Sequence, residues 1–174
     1  MTHAGIRKTV VFSHGKESGP WGIKITRLAR VAESLGFEVI SIDYRGVFDP
    51  EERVRMLLAQ CPTGQGPTVL VGSSMGGYVS LVASENIKPA GLFLMAPAIG
   101  KIGYAHSCPQ PHAQATTIIH GWDDDIVPPG PVIDFARVHR LELDMLPDGH
   151  TLENSLDFLE CRFRYFLERL PKTI

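Results

Sequence analysis

A serine with a glycine two residues to either side, in Gly72-Ser73-Ser74-Met75-Gly76-Gly77, is the stretch best equipped for chemistry. The frame selects Ser74, and Ser73 has none. Gly72 and Gly76 have a steric reason: in a tight strand-to-helix turn a Cβ would collide with the neighbouring strand or helix. A serine hydroxyl is a poor nucleophile at neutral pH. It needs a base to take its proton, and the base needs an acceptor to fix its tautomer and stabilise the imidazolium. His150 is the candidate base, since of seven histidines it alone occupies the loop after the last expected strand. The candidate acceptors are three consecutive acids, Asp123, Asp124 and Asp125. Singly, each motif has a plainer reading: a glycine-rich turn without chemistry, a loop histidine facing water, acids that cap a turn. Together, in the chain order Ser, Asp, His, they describe nucleophilic catalysis.

These residues need elements to hold them, and the chain alternates strand-like and helix-like segments from end to end. Strands are expected at Thr9–Ser13, Phe37–Ile42, from Thr68 into the serine turn, Gly91–Met95, Thr116–Ile119 and Leu141–Leu146. A helix from about Gly22 to Ser34 would bury Ile25, Leu28, Ala32 and Leu35, a helical spacing, before Gly36 stops it. Asp49-Pro50-Glu51-Glu52 opens the next helix with an N-cap, a proline at the first helical position and acids in the first turn; that helix would bury Val54, Leu57 and Leu58. Cys61-Pro62 ends it, and residues 63–67 form a loop. Helices follow from Ser74 to about Ser84, over Pro131–Val138, and from about Glu153, where Leu156, Leu159, Phe163, Phe166 and Leu170 share a face. Pro97 to Gln114 has little periodicity and reads as a loop. Six strands alternating with helices imply a mostly parallel sheet in a three-layer α/β/α sandwich, with ligands at the carboxyl ends of the strands.

Bulk properties bound the rest. A chain of 174 residues, 44% apolar and 21% charged, suits one globular domain spanning 1–174. Seventeen basic against nineteen acidic residues argue against nucleic acid as a main partner, which would call for a basic surface. No apolar run or basic amphipathic stretch suits a membrane, and no secretory leader is recognisable. Cys61, Cys108 and Cys161 are odd in number and widely spaced; they read as free thiols in a reducing cytoplasm. His106, Cys108 and His112 lie close in sequence, but no further cysteine or histidine completes a four-ligand metal set.

The pieces at the strand ends make the resemblance specific. Ser13-His14-Gly15-Lys16, Gly72 to Gly77, His120-Gly121-Trp122-Asp123-Asp124-Asp125-Ile126-Val127-Pro128 and Asp148-Gly149-His150 resemble the α/β-hydrolase superfamily over nearly the whole chain. In many members the acid stands in a His-Gly-x-x-Asp-x-x-Val-Pro run, which by resemblance puts it at Asp124, with Asp123 and Asp125 as alternatives one position away. The resemblance also implies an oxyanion hole, two N–H groups aimed at the charge on the acyl oxygen. One comes from Met75; the other comes from the loop after the first strand, Lys16 or else Gly15. Tyr44-Arg45-Gly46 resembles a tight structural turn of this superfamily. Against larger members the chain begins at what would be their third strand, and Pro97 to Ala115 is too short for a helical cap, so an open, shallow site for a small or protruding acyl group is expected.

The reading is a small, lidless serine hydrolase acting on carboxylic esters or thioesters with no cofactor, its partner a small-molecule acyl substrate. Acyl transfer or peptide cleavage would use the same triad, since fold does not fix substrate. A non-catalytic ligand-binding protein on a hydrolase scaffold is the reading from another class.

Overall fold

A computed structural model describes residues 7–62, 64, 66–107 and 109–171. Its six strands are β1 (Thr9–Ser13), β2 (Glu38–Ile42), β3 (Thr68–Ser73), β4 (Gly91–Met95), β5 (Ala115–Gly121) and β6 (Glu142–Leu146). They form one sheet in the order β2-β1-β3-β4-β5-β6, and every pairing is parallel. Parallel neighbours need a crossover. Helices α1 (Ile23–Ser34), α2 (Pro50–Gln60), α3 (Met75–Ile87) and α4 (Pro129–His139) supply four of them. A 3-10 turn at Glu153–Ser155 leads into the closing helix α5 (Leu156–Glu168).

Alternation along the strands divides the core in two. Val11, Leu70, Leu92, Leu94 and Ile118 join α2, α3 and α4 in one cluster. Val10, Phe12, Val69, Val71 and Phe93 join α1 and α5 in the other. Phe93 packs edge-on against Phe163 of α5, with ring centroids 4.9 Å apart. Helices on both faces and interior strands β1, β3 and β4 that are buried throughout make the three-layer sandwich.

The departures from expectation lie at element ends. Strand β5 runs on through His120 and Gly121, because both pair with β6. Helix α3 continues to Ile87 and stops where Lys88 turns left-handed. Helix α4 starts at Pro129, a position where the missing N–H costs nothing. Leu35 and Leu58 are only partly buried. The N-cap Asp49 accepts from the Glu51 N–H as its sequence implies.

β1 is followed through α1 by β2 on one side of it, and β3 lies on the other side. The chain therefore changes direction across the sheet at β1, and the loops leaving β1 and β3 flank a crevice at the carboxyl edge.

Candidate active site

Ser74 stands between β3 and α3 with φ 55° and ψ −119°, a left-handed conformation that a non-glycine residue holds only when its surroundings impose it. Four contacts impose it. The Ser74 N–H donates to Met95 O at 3.0 Å, while its carbonyl accepts from the N–H groups of Gly77 (2.9 Å), Ala98 (3.0 Å) and Tyr78 (3.3 Å). The glycines make room: a Cβ on Gly72 would overlap the Gly76 carbonyl, and one on Gly76 the Ser13 carbonyl.

His150 meets this serine from the loop after β6. Its Nε2 lies 3.0 Å from Ser74 Oγ, and its Nδ1 lies 2.8 Å from Asp124 Oδ2. With Nδ1–H donating to the carboxylate, Nε2 is left to accept from the hydroxyl. Asp124 is buried, and its other oxygen accepts from the Ile126 (3.0 Å) and Val127 (2.8 Å) N–H groups. Asp123 and Asp125 are exposed, so among the three acids only Asp124 reaches the histidine.

Two buried groups brace this acid–base pair. His120 is fully buried, its Nε2 3.0 Å from Val127 O and 3.4 Å from Asp124 Oδ2. Burial lowers its pKa, the charge of Asp124 opposing, which favours a neutral ring donating from Nε2. Asp148 anchors the loop that carries His150, accepting from Ser155 Oγ (2.8 Å), Gly149 N (2.8 Å) and Asn154 Nδ2 (3.2 Å). Burial works against its charged form, but these hydrogen bonds outweigh it, and its pKa lies below the ordinary value. Both residues stand inside the recognised motifs, yet nothing in spacing alone separates a brace from a bystander.

The N–H groups of Met75 and Lys16 have no acceptor among the described residues. The loop after β1 comes close to the serine: a Cβ on Gly15 would lie 3.6 Å from that of Ser74. The Lys16 side chain is exposed, its ammonium 5.8 Å from the Phe48 ring. Over the site opens a groove of about 700 Å³ whose wall includes Ile23, Phe48, Met75, Ala98, Ile102 and Ile126. The loop after β4, too short for a cap domain, still supplies part of its lining through Ala98, Lys101, Ile102 and Tyr104. In the same loop His106 sits 3.8 Å from Glu51 and His112 3.3 Å from Lys88; Cys108 lies outside the described residues. Among the described residues no group of His, Cys, Asp and Glu is arranged to hold a metal. Tyr44 is buried and bonds Ser13 Oγ at 3.0 Å, and Gly46 has φ 80°, as a structural turn requires.

A model of the alpha/beta hydrolase family matches residues 10–171. The chain belongs to this family. As an alpha/beta hydrolase it is similar to a solved protein of Xanthomonas campestris pv. campestris placed in the same superfamily, 32% identical over 94% of this chain and 99% of that one, TM-score 0.83. A second solved protein of X. campestris, described as an α/β serine hydrolase without a lid, is 26% identical over 96% of this chain and 84% of the other, TM-score 0.74. In sequence the hydrolase is 32% identical over 89 residues to the mitochondrial palmitoyl-protein thioesterase ABHD10 of Mus musculus. That match spans 43% of this chain and only 29% of the mouse protein's length.

Sequence reasoning passed over a lysine in the wall of the groove. Lys24 of α1 donates from Nζ to Ser73 Oγ at 3.0 Å. Burial lowers its pKa from 10.5 to about 8, against the opposing charges of Glu153, Asp148 and Asp124. Between those values the folded chain binds fewer protons at this site than the unfolded chain, so stability rises with pH across the window. We expect the wild type to gain stability relative to Lys24→Met between pH near 8 and pH near 10.5. Urea unfolding of both proteins at each end of the range measures it. Differencing the two proteins cancels titrations they share.

Proposed function

We propose that this hydrolase cleaves carboxylic esters or thioesters of small acyl substrates by a two-step acyl-enzyme mechanism. The reading rests on one observation, the unbroken chain of hydrogen bonds from Asp124 through His150 to Ser74 at the floor of an open groove. Ser74 Oγ attacks the acyl carbon as His150 Nε2 takes its proton, and Asp124 holds the imidazolium that forms. The Met75 and Lys16 N–H groups stabilise the oxyanion. Collapse expels the alcohol or thiol, protonated by His150. Water, activated by the same histidine, then attacks the acyl-serine and releases the acid. No step calls for a cofactor.

Thioesters belong in the substrate class because the triad chemistry is the same and because the mouse relative is named a thioesterase. The apolar wall of the groove favours an apolar acyl or leaving group. Among the described residues no helix is long and apolar enough to cross a membrane.

The test is turnover of a chain-length series of p-nitrophenyl esters and acyl thioesters, with mass spectrometry of the quenched enzyme. The expected result is turnover with an acyl adduct on the peptide carrying Ser74. Folded protein that turns over no member and forms no adduct with a fluorophosphonate would leave the ligand-binding reading in its place.

A further inference from the structure

Among the described residues the largest fully buried side chain is a cation, Arg53 of α2. It shares a helical face with the buried Leu57, four residues on. No carboxylate among the described residues lies within ion-pairing distance of it. Instead all five of its N–H groups have backbone carbonyls to serve. Nε donates to Val47 O at 2.7 Å. Nη1 donates to His14 O at 3.0 Å and Gly15 O at 3.2 Å. Nη2 donates to Lys16 O at 3.3 Å and Tyr44 O at 3.4 Å. The guanidinium also lies 5.1 Å from the Tyr44 ring. Burial lowers its pKa, but a guanidinium does not lose its proton in a protein.

A buried charge without a counter-charge is an expensive way to fill space. What it does here is hold three successive carbonyls, 14, 15 and 16, pointing one way. A trans peptide is planar, so the C=O of one residue and the N–H of the next point in opposite directions. Arg53 therefore turns the N–H of Gly15, through the His14 carbonyl, and the N–H of Lys16, through the Gly15 carbonyl, away from itself. Those are the two N–H groups from which the second oxyanion donor must come. His14 adds a second clamp: its Nε2 accepts from Tyr44 N at 2.9 Å, leaving Nδ1–H to donate to Gly15 O at 2.7 Å.

We propose that Arg53 is the positioning residue of the oxyanion hole. It fixes the orientation of the Gly15–Lys16 peptide, and its charge polarises that peptide so that the Lys16 N–H carries more positive charge toward the acyl oxygen. It touches no substrate. The inference rests on the serine-hydrolase reading above, and it goes further by assigning the hole's geometry to a side chain on another element.

The test compares the wild type with Arg53→Met and Arg53→Lys, with kcat expressed per active site titrated by a fluorophosphonate. An alkyl trifluoromethyl ketone is the second probe, because its adduct with Ser74 carries the oxyanion while its ground state does not. Arg53→Met should lower kcat about 10²- to 10³-fold, the loss seen when one oxyanion donor is removed, with KM changed by less than about threefold. Ketone affinity should fall in parallel with kcat. Arg53→Lys keeps the charge inside the fold but lacks the planar fork, so it should lie between the two and carries the comparison if the Met variant does not fold. A kcat within about threefold of wild type in folded Arg53→Lys, or a kcat loss without weakened ketone binding, overturns the proposal. A wild type that neither turns over ester nor binds the ketone would instead remove the serine-hydrolase reading itself.

Discussion

Ser74→Ala is expected to abolish ester turnover, lowering kcat by about 10⁴- to 10⁶-fold, and to abolish fluorophosphonate labelling altogether. The size follows from the geometry. Ser74 Oγ is the only hydroxyl within reach of His150 Nε2 among the described contacts, at 3.0 Å. The neighbouring Ser73 Oγ is occupied instead by Lys24 and offers no substitute. Stability should not suffer, since alanine keeps the Cβ and the backbone contacts of the turn involve only main-chain atoms. Ser73→Ala is the matched control. It removes one hydroxyl from the adjacent residue and should leave labelling intact. The pair is checked by the labelling rate, active-site titration and thermal unfolding of both variants.

Much of this arrangement is legible in the residues. The parallel sheet follows from short apolar runs separated by amphipathic segments, and Gly91-Leu92-Phe93-Leu94-Met95, apolar on both faces, matches β4 residue for residue. The turn around Ser74 is legible because sterics leave glycine alone at Gly72 and Gly76. What escapes sequence reading is burial of polar groups whose partners are distant in the chain. Arg53 looks like one more surface charge in Glu51-Glu52-Arg53-Val54, yet the carbonyls it serves include three at positions 14, 15 and 16. Lys24 likewise sits in an ordinary amphipathic helix, and only folding brings it to Ser73. Strand ends drift for a non-local reason. Gly121 and His120 join β5 because β6 arrives to pair with them, and that pairing has no local signature.

The acid is where a one-position ambiguity in the residues becomes a large difference in chemistry. Asp124→Asn is expected to lower kcat by about 10⁴-fold, whereas Asp123→Asn and Asp125→Asn should change it by less than about threefold. The Asp124 carboxylate does two things. Oδ2 accepts from His150 Nδ1 at 2.8 Å, and Oδ1 accepts from the Ile126 and Val127 N–H groups. An asparagine can satisfy only one of these with its oxygen. If the oxygen stays with the two backbone donors, the amide N–H faces His150 Nδ1. The ring must then accept there, which places its proton on Nε2, facing Ser74. A hydrogen on Nε2 cannot take the serine proton, so the base is lost while the fold survives. Asp123 and Asp125 are exposed, and neither has a contact through which its amide would reach the ring. The double variant Ser74→Ala with Asp124→Asn should be no slower than Ser74→Ala alone, because residues that act as a unit lose their function once. An Asp124→Asn enzyme with near wild-type kcat, or a double variant far slower than either single one, would mean that Asp124 does not act through His150 on Ser74.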